Sequence, residues 1–347
     1  MHISTTGFNR AFGVLCLTGL SACANTGGGN AAAGRTLTLG AYTTPREAYG
    51  EIIPAFTAEW QKTNAGSITF EESYLGSGAQ ARAIAGGFEA DLAALSLEPD
   101  IETLVKAGLI THDWKARALG GMVTRSIVVI AVRAGNPKNI RTWDDLRRPG
   151  IKVLTPNPRT SGGAMWNIAA IYGAALRGST KAVAGDSTAA SALLRDIVAN
   201  VVIMDKGARE SILTFESGVG DAAITYENEV LVSKRAGKPI DYVIPPGTIL
   251  IENPIALIDE YASKHGTMEV AEAFVKYLTS TDAQRKYAEH GLRPVDETVA
   301  TEFRSKFPEV PGLFTIRDLG DWPVVTQSLF APDGVFERVS TRSVAKQ

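Results

Sequence analysis

The sequence predicts an α/β protein of two lobes, each built on parallel strands covered on both faces by helices. Three observations carry that reading. Short apolar or β-branched runs alternate with helix-length segments along most of the chain, the pattern of strand–helix–strand units. The run Ser126–Arg133 reads Ser-Ile-Val-Val-Ile-Ala-Val-Arg with no polar alternation, as a strand buried on both faces does. The length of 347 residues suits two lobes at about 100–200 residues per domain.

Taken in order, Thr36–Ala41 is predicted as a strand and Pro45–Lys62 as a helix with proline in its first turn. Ser67–Ser73 follows as a strand, Gly78–Gly86 as a helix and Ala90–Leu97 as a buried strand. Glu98–Ala107 is a short helix that Gly108 ends. After the strand Ser126–Arg133 come a helical turn at Trp143–Leu146, a strand at Lys152–Thr155 and a long helix, Met165–Leu176, entered from Ser161. Ala189–Val198 is helical, Val201–Asp205 a strand, Ala208–Glu216 helical, Asp221–Tyr226 a strand and Asn228–Arg235 helical. Helices at Met268–Leu278 and Asp282–His290 precede a less regular tail. Two extended segments, Gly120–Val129 and Val243–Ile258, are candidates for crossings between lobes. They divide the chain into a discontinuous first lobe, 36–120 with 246–347, and a second lobe, 121–245.

The N-terminus is read apart from the fold. Arg10 precedes the apolar run Ala11–Leu20, which is followed by Leu20-Ser-Ala-Cys23, the layout of a secretory signal with a small-residue cleavage site. The run is far shorter than the ~20 residues a membrane span needs. Leu-Ser-Ala-Cys resembles the bacterial lipobox, so residues 1–22 are expected to be a lipoprotein signal peptide and Cys23 the lipid attachment site. Residues 23–35 are rich in Gly, Ala and Asn and read as a flexible tether. Of the two cysteines, Cys16 goes with the signal, so the mature chain forms no internal disulfide, and a domain of this size needs none. With Arg10 removed, 34 basic residues face 37 acidic ones, a balance that argues against a nucleic-acid partner.

The most informative stretch is Thr155-Pro-Asn-Pro-Arg-Thr-Ser-Gly-Gly-Ala164. Two prolines break a strand, and a helix then opens through residues with almost no side chain. The first N–H groups of a helix have no intrahelical partner and lie at the positive end of its dipole. Small residues let an anion approach them closely. Three other junctions share this design: Gly76-Ser77-Gly78, Lys206-Gly207-Ala208 and Thr43-Thr44-Pro45. One such junction commonly just caps a helix; four in one alternating pattern point to an oxyanion site. A bare dianion in a low-dielectric cleft costs on the order of tens of kcal/mol. Hydrogen bonds to a charged group return roughly 1.5–3 kcal/mol each. Several donors spread over two lobes would offset that cost and tie closure to the ligand.

Other chemistries find little support. Gly76-Ser-Gly78-Ala-Gln-Ala81 resembles a dinucleotide fingerprint but follows the second strand. Gly173-Ala-Ala-Leu-Arg-Gly178-Ser-Thr180 has P-loop glycine spacing without the lysine, at the wrong end of a helix. There is no Gly-x-Ser-x-Gly elbow and no His-Glu-x-x-His pair. His112, His265 and His290 stand in no ligand spacing and read as surface or loop residues. Glu227 and Glu229, beside Tyr226, read as the acidic start of a solvated helix.

The segments Gly76-Ser-Gly-Ala-Gln-Ala-Arg82 with Glu89-Ala-Asp91, Gly135-Asn-Pro-Lys-Asn-Ile140 with Trp143-Asp-Asp-Leu146, Thr155–Ala164, Asp205-Lys-Gly-Ala-Arg209, Tyr226-Glu-Asn-Glu229 and Leu313-Phe-Thr-Ile316 are similar, in order, to motifs of the sulfate-binding proteins of bacterial sulfate/thiosulfate ABC importers. The resemblance covers roughly residues 37–336. It implies a type II periplasmic-binding-protein fold, with two lobes of mostly parallel sheet joined by a hinge, that presents sulfate to a membrane permease. It also implies ligand donors at Ser77 from the first lobe and at Ser161, Gly162, Gly163 and Ala208 from the second, with the Ser161 hydroxyl adding to its backbone N–H. Thr43, Gly78 and Tyr226 complete the expected binding set, and Arg46 and Arg209 are expected to flank it or bridge the lobes. The family usually has a tryptophan indole where this chain has Tyr226, whose phenol both donates and accepts, and an aspartate near Thr43.

The expected function is therefore an exported, lipid-anchored receptor, a monomer on the periplasmic or cell-surface side. It binds sulfate and passes it to ABC permease subunits, without catalytic residues, cofactor or metal. Thiosulfate, molybdate and phosphate are the alternatives within that class. A hydrolase on the same fold and a non-transport adhesin or scaffold are the alternatives outside it.

Overall fold

The computed structural model describes residues 34–344. The signal segment, Cys23 and the tether up to residue 33 lie outside the described residues. The chain begins with β1 (Arg35–Tyr42), α1 (Arg46–Trp60), β2 (Ile68–Leu75), α2 (Ser77–Ala85), β3 (Leu92–Ala94) and α3 (Glu98–Lys106). It continues with β4 (Met122–Arg133), β5 (Val153–Pro156), α4 (Gly162–Leu176), α5 (Ser187–Ala199), β6 (Val201–Asp205), α6 (Ala208–Glu216), β7 (Ala222–Tyr226), α7 (Glu227–Arg235), β8 (Ile240–Val243) and β9 (Leu250–Leu257). It closes with α8 (Asp259–His265), α9 (Met268–Tyr277), α10 (Thr281–Glu289), α11 (Glu297–Glu302), α12 (Asp321–Val325) and α13 (Val335–Val344).

Strands join in the order β2-β1-β3-β9-β4-β7-β5-β6, with β8 also on β4. The pairs β1–β2, β1–β3, β5–β6 and β5–β7 are parallel. The pairs of β9 with β3 and β4, and of β4 with β7 and β8, are antiparallel. The sheet is thus mixed, where mostly parallel sheet was expected. The reversal comes from β4 and β9, which run between two cores in opposite directions and so enter each parallel set against its grain. β9 pairs with β4 through Leu250–Pro254 and with β3 through Ile255–Leu257.

The strand β4 shows the physics of burial on both faces. Val128, Ile130 and Val132 enter a cluster with Trp166, Ile168 and Leu194 of α4 and α5. Ile127, Val129 and Ala131 enter another with Ile212, Phe215 and Val230 of α6 and α7. That is the period-two alternation of a strand, with apolar side chains on both sides. Around β1–β3, one face carries Ile52 and Phe56 of α1 against Phe274 of α9, with the Phe56 and Phe274 rings 5.0 Å apart. The other carries Ile84, Ile101 and Leu104 of α2 and α3.

Two expectations about the fold change. β3 has three ladder residues instead of eight. Leu95, Ser96 and Leu97 stay buried but run past the end of the ladder, which puts Ser96 beyond the carboxyl end of the sheet. The less regular tail packs differently from its expected place in the first lobe. Phe314, Trp322, Val325, Leu329 and Phe336 join the same cluster as Trp166, and the Trp166 and Trp322 rings lie 4.7 Å apart. The reason lies in α4, which is apolar nearly all the way round and needs cover on the side away from the sheet.

Candidate functional site

Each strand-to-helix junction leaves the carboxyl end of its strand, and several of these junctions meet. α2 starts from Gly76 with no side-chain cap, and a Cβ on Gly76 would lie 2.6 Å from the Thr160 carbonyl and 2.9 Å from that of Lys206. Only glycine permits that approach. The Ala79 N–H reaches the Thr160 carbonyl at 3.3 Å, and the Thr160 hydroxyl donates to the Lys206 carbonyl at 2.8 Å. A Cβ on Gly207, the residue before α6, would stand 3.7 Å from Gly76 Cα. The loops opening α2, α4 and α6, drawn from both cores, are therefore in direct contact.

Within this contact Ser77, Ser161, Gly162, Gly163, Ala208 and Tyr226 are all buried. Helix geometry leaves the N–H groups of Ser77, Gly78, Gly162, Gly163 and Ala208 without intrahelical acceptors. Ser161 departs from expectation. Its N–H is taken by the Asn157 carbonyl at 2.9 Å, because the Thr155–Ala164 loop turns back on itself, so only its hydroxyl remains to donate. The oxygen of that hydroxyl caps α4 by accepting from the Ala164 N–H.

Tyr226 ends β7 and precedes α7. A Cβ on Gly163 would stand 2.8 Å from its ring and 3.4 Å from Ala208 Cβ. Its hydroxyl sits 2.6 Å from that of Ser96, and burial pushes its pKa up, so the phenol is neutral. The Ser77 hydroxyl accepts from the Ser96 N–H at 2.8 Å and donates to Asp100. Burial pushes the Asp100 carboxyl up to about 6, against the Ser77 bond and the Arg82 charge.

The remaining expected residues divide. Thr43 is half-buried at the end of β1, but the contacts run through its neighbour: the Thr44 carbonyl accepts from Asn228 at 3.4 Å. Arg46 is exposed, its guanidinium 5.3 Å above the Tyr74 ring on β2. Arg209, next to Ala208, donates to both Glu47 oxygens across the two cores and holds Glu229 at 2.7 Å. Burial pushes the Glu47 carboxyl up, yet Arg209 outweighs it and holds the group below its ordinary value. Glu227 and Glu229 are not the solvated helix start they were expected to be. Both are fully buried, with Glu227 on Arg293 at 2.6 and 2.9 Å, because α7 starts inside the molecule.

Sequence reasoning missed Ser96, Asp100, Trp166 and Asn253. Ser96 had one signal, a hydroxyl inside the apolar run Leu95–Leu97. Asp100 had none, since an acidic residue in the first turn of a helix is ordinary. Among the described residues, no three His, Cys, Asp or Glu side chains group as a metal site, and no helix is long and apolar enough to cross a membrane.

Against known proteins, the model of the bacterial extracellular solute-binding proteins matches residues 37–293. The chain belongs to that family. As a member, it is an extracytoplasmic solute-binding protein and not an enzyme. It is 41% identical to the sulfate-binding protein of Synechococcus elongatus, over 87% of this chain and 86% of that one. It is 38% identical to the sulfate-binding protein of Escherichia coli, over 87% and 92%. Among solved structures, the sulfate-binding protein SubI of Mycobacterium tuberculosis is 42% identical, with a TM-score of 0.76 over 85% of this chain and 99% of that one. The family member described here has the type II periplasmic-binding-protein fold.

Proposed function

We propose that this solute-binding protein holds sulfate where α2, α4 and α6 meet beside Tyr226 and presents it to the permease subunits of an ABC importer. The observation that carries the reading is the contact of helix starts from two cores at Gly76, Thr160 and Gly207. The donors are the N–H groups of Ser77, Gly78, Gly162, Gly163 and Ala208 and the Ser161 hydroxyl. Arg209 is already committed to Glu47 and Glu229, so the anion is held by amide dipoles and not by a counter-charge. The relatives named for sulfate support the choice of anion. β4 and β9 act as the hinge strands, the lobes part to admit the anion, and Cys23 carries the lipid that keeps this monomeric receptor at the membrane.

Calorimetric titration of anion-stripped protein tests the reading. Sulfate is expected to bind at micromolar concentration or tighter, about −8 kcal/mol. Phosphate is expected to bind at least about a hundredfold more weakly, because its proton needs an acceptor where the amides only donate. Equal binding of the two would overturn the amide-dipole account, and thiosulfate in the same series decides between the two sulfur oxyanions.

A further inference from the structure

We propose that Ser96 is a ligand-binding residue, its hydroxyl and that of Tyr226 forming one donor unit aimed at the anion; the inference rests on the sulfate reading above. Ser96 lies two residues past the β3 ladder, is 1% exposed, and is held from several directions. Its N–H donates to Ser77 Oγ at 2.8 Å. Its carbonyl accepts from Trp166 Nε1 of α4 at 3.0 Å and from Asn253 Nδ2 of β9 at 2.8 Å. One residue thus touches the start of α2, the body of α4 and a strand that crosses between the cores.

With the backbone committed, the hydroxyl has one contact, the Tyr226 phenol at 2.6 Å. Two hydroxyls carry two protons, and one contact uses one of them. Either oxygen of the pair can donate to the other. Asn253 is engaged elsewhere, its Oδ1 accepting from Thr124 at 3.1 Å and its Nδ2 donating to the Ser96 carbonyl. When the phenol sends its proton to Ser96 Oγ, the Ser96 proton is left free to point out of the pair. A Cβ on Gly162 would lie 2.7 Å from Ser96 Oγ, so that proton emerges beside the α4 N–H groups that lack intrahelical acceptors. A buried O–H with no acceptor is costly, and an anion oxygen at the start of α4 accepts it.

The test is calorimetry with sulfate on the anion-stripped chain and on Ser96→Ala, Tyr226→Phe and the double variant, with thermal melts in sulfate-free buffer. Ser96→Ala is expected to bind roughly ten- to a hundredfold more weakly, the range of a hydrogen bond to a charged group. Tyr226→Phe is expected to lose less, because Ser96 still donates, and the double variant to match Ser96→Ala within about twofold. Ser96→Ala binding within twofold of the parent overturns the proposal, as does a larger loss in Tyr226→Phe than in Ser96→Ala. Should Ser96→Ala fail to melt cooperatively, Ser96→Cys, which keeps the volume with a weak donor, carries the same expectation and the same refutation. A parent protein that binds no sulfate defeats the functional reading itself; a parent that binds while Ser96→Ala binds equally defeats only this inference.

Discussion

At the scale of single residues, Asp100 is the group whose charge the site must tolerate. It accepts from Ser77, and burial raises its pKa to about 6. An acid whose pKa is higher in the fold than in the unfolded chain lends stability below the unfolded value near 4. That stability is lost as pH rises through about 6. Bound sulfate works in the same direction, since an ionised Asp100 repels it. Sulfate affinity is therefore expected to rise about three- to tenfold between pH 7.5 and 5, and Asp100→Asn to bind more tightly at pH 7.5 with a flat profile. A parallel slope in the two proteins, measured by titration across that range, would remove Asp100 from the account. Gly163 makes a second prediction. An added Cβ meets Tyr226 and Ala208, and overpacking of that kind costs about 1–3 kcal/mol. Gly163→Ala is expected to lower the melting temperature by several degrees and to weaken sulfate binding at least about tenfold.

At the scale of elements, α8 shows how a helix end is docked. His265, its last residue, contacts Asp91 at 2.9 Å and Glu89 at 3.1 Å, and Asp91 also accepts from the Thr38 N–H of β1 and from Thr267. The Asp91 bond holds the His265 pKa above its usual value. A base raised in the fold contributes stability fully below the unfolded pKa near 6.5 and loses it as pH rises through the folded value. His265→Gln is thus expected to be destabilising at pH 6 and nearly neutral at pH 9, as read by urea denaturation at both pH values. Elements such as α6 and α4 were legible because their apolar spacing and small starting residues are local. The mixed pairing of β4 and β9, the short β3 and the helices of the tail were not, because partners more than a hundred residues away decide them.

At the scale of the whole molecule, the Arg209–Glu47 pair spans the two cores while Arg209 also neutralises the fully buried Glu229. The two partners of the bridge therefore predict different outcomes. Arg209→Gln strands Glu229 and is expected to cost about 3–5 kcal/mol of stability by urea denaturation. Glu47→Gln leaves the Arg209–Glu229 pair intact, so stability is expected to change by less than about 1 kcal/mol. Sulfate release, followed by stopped flow, is expected to quicken severalfold. Unchanged release in Glu47→Gln would deny the pair any part in closure.

The alternation of strands and helices and the Gly-Gly and Gly-Ala helix starts are properties of neighbouring residues, so the chain declared them without help. Ser161 losing its N–H to Asn157, Thr44 making the contact in place of Thr43, and Ser96 joining Ser77 to Tyr226 are properties of segments folded against one another. A hydrogen bond is decided by distances of about 3 Å, and residues 19 and 130 positions apart reach that distance only when both cores and the strands between them are in place.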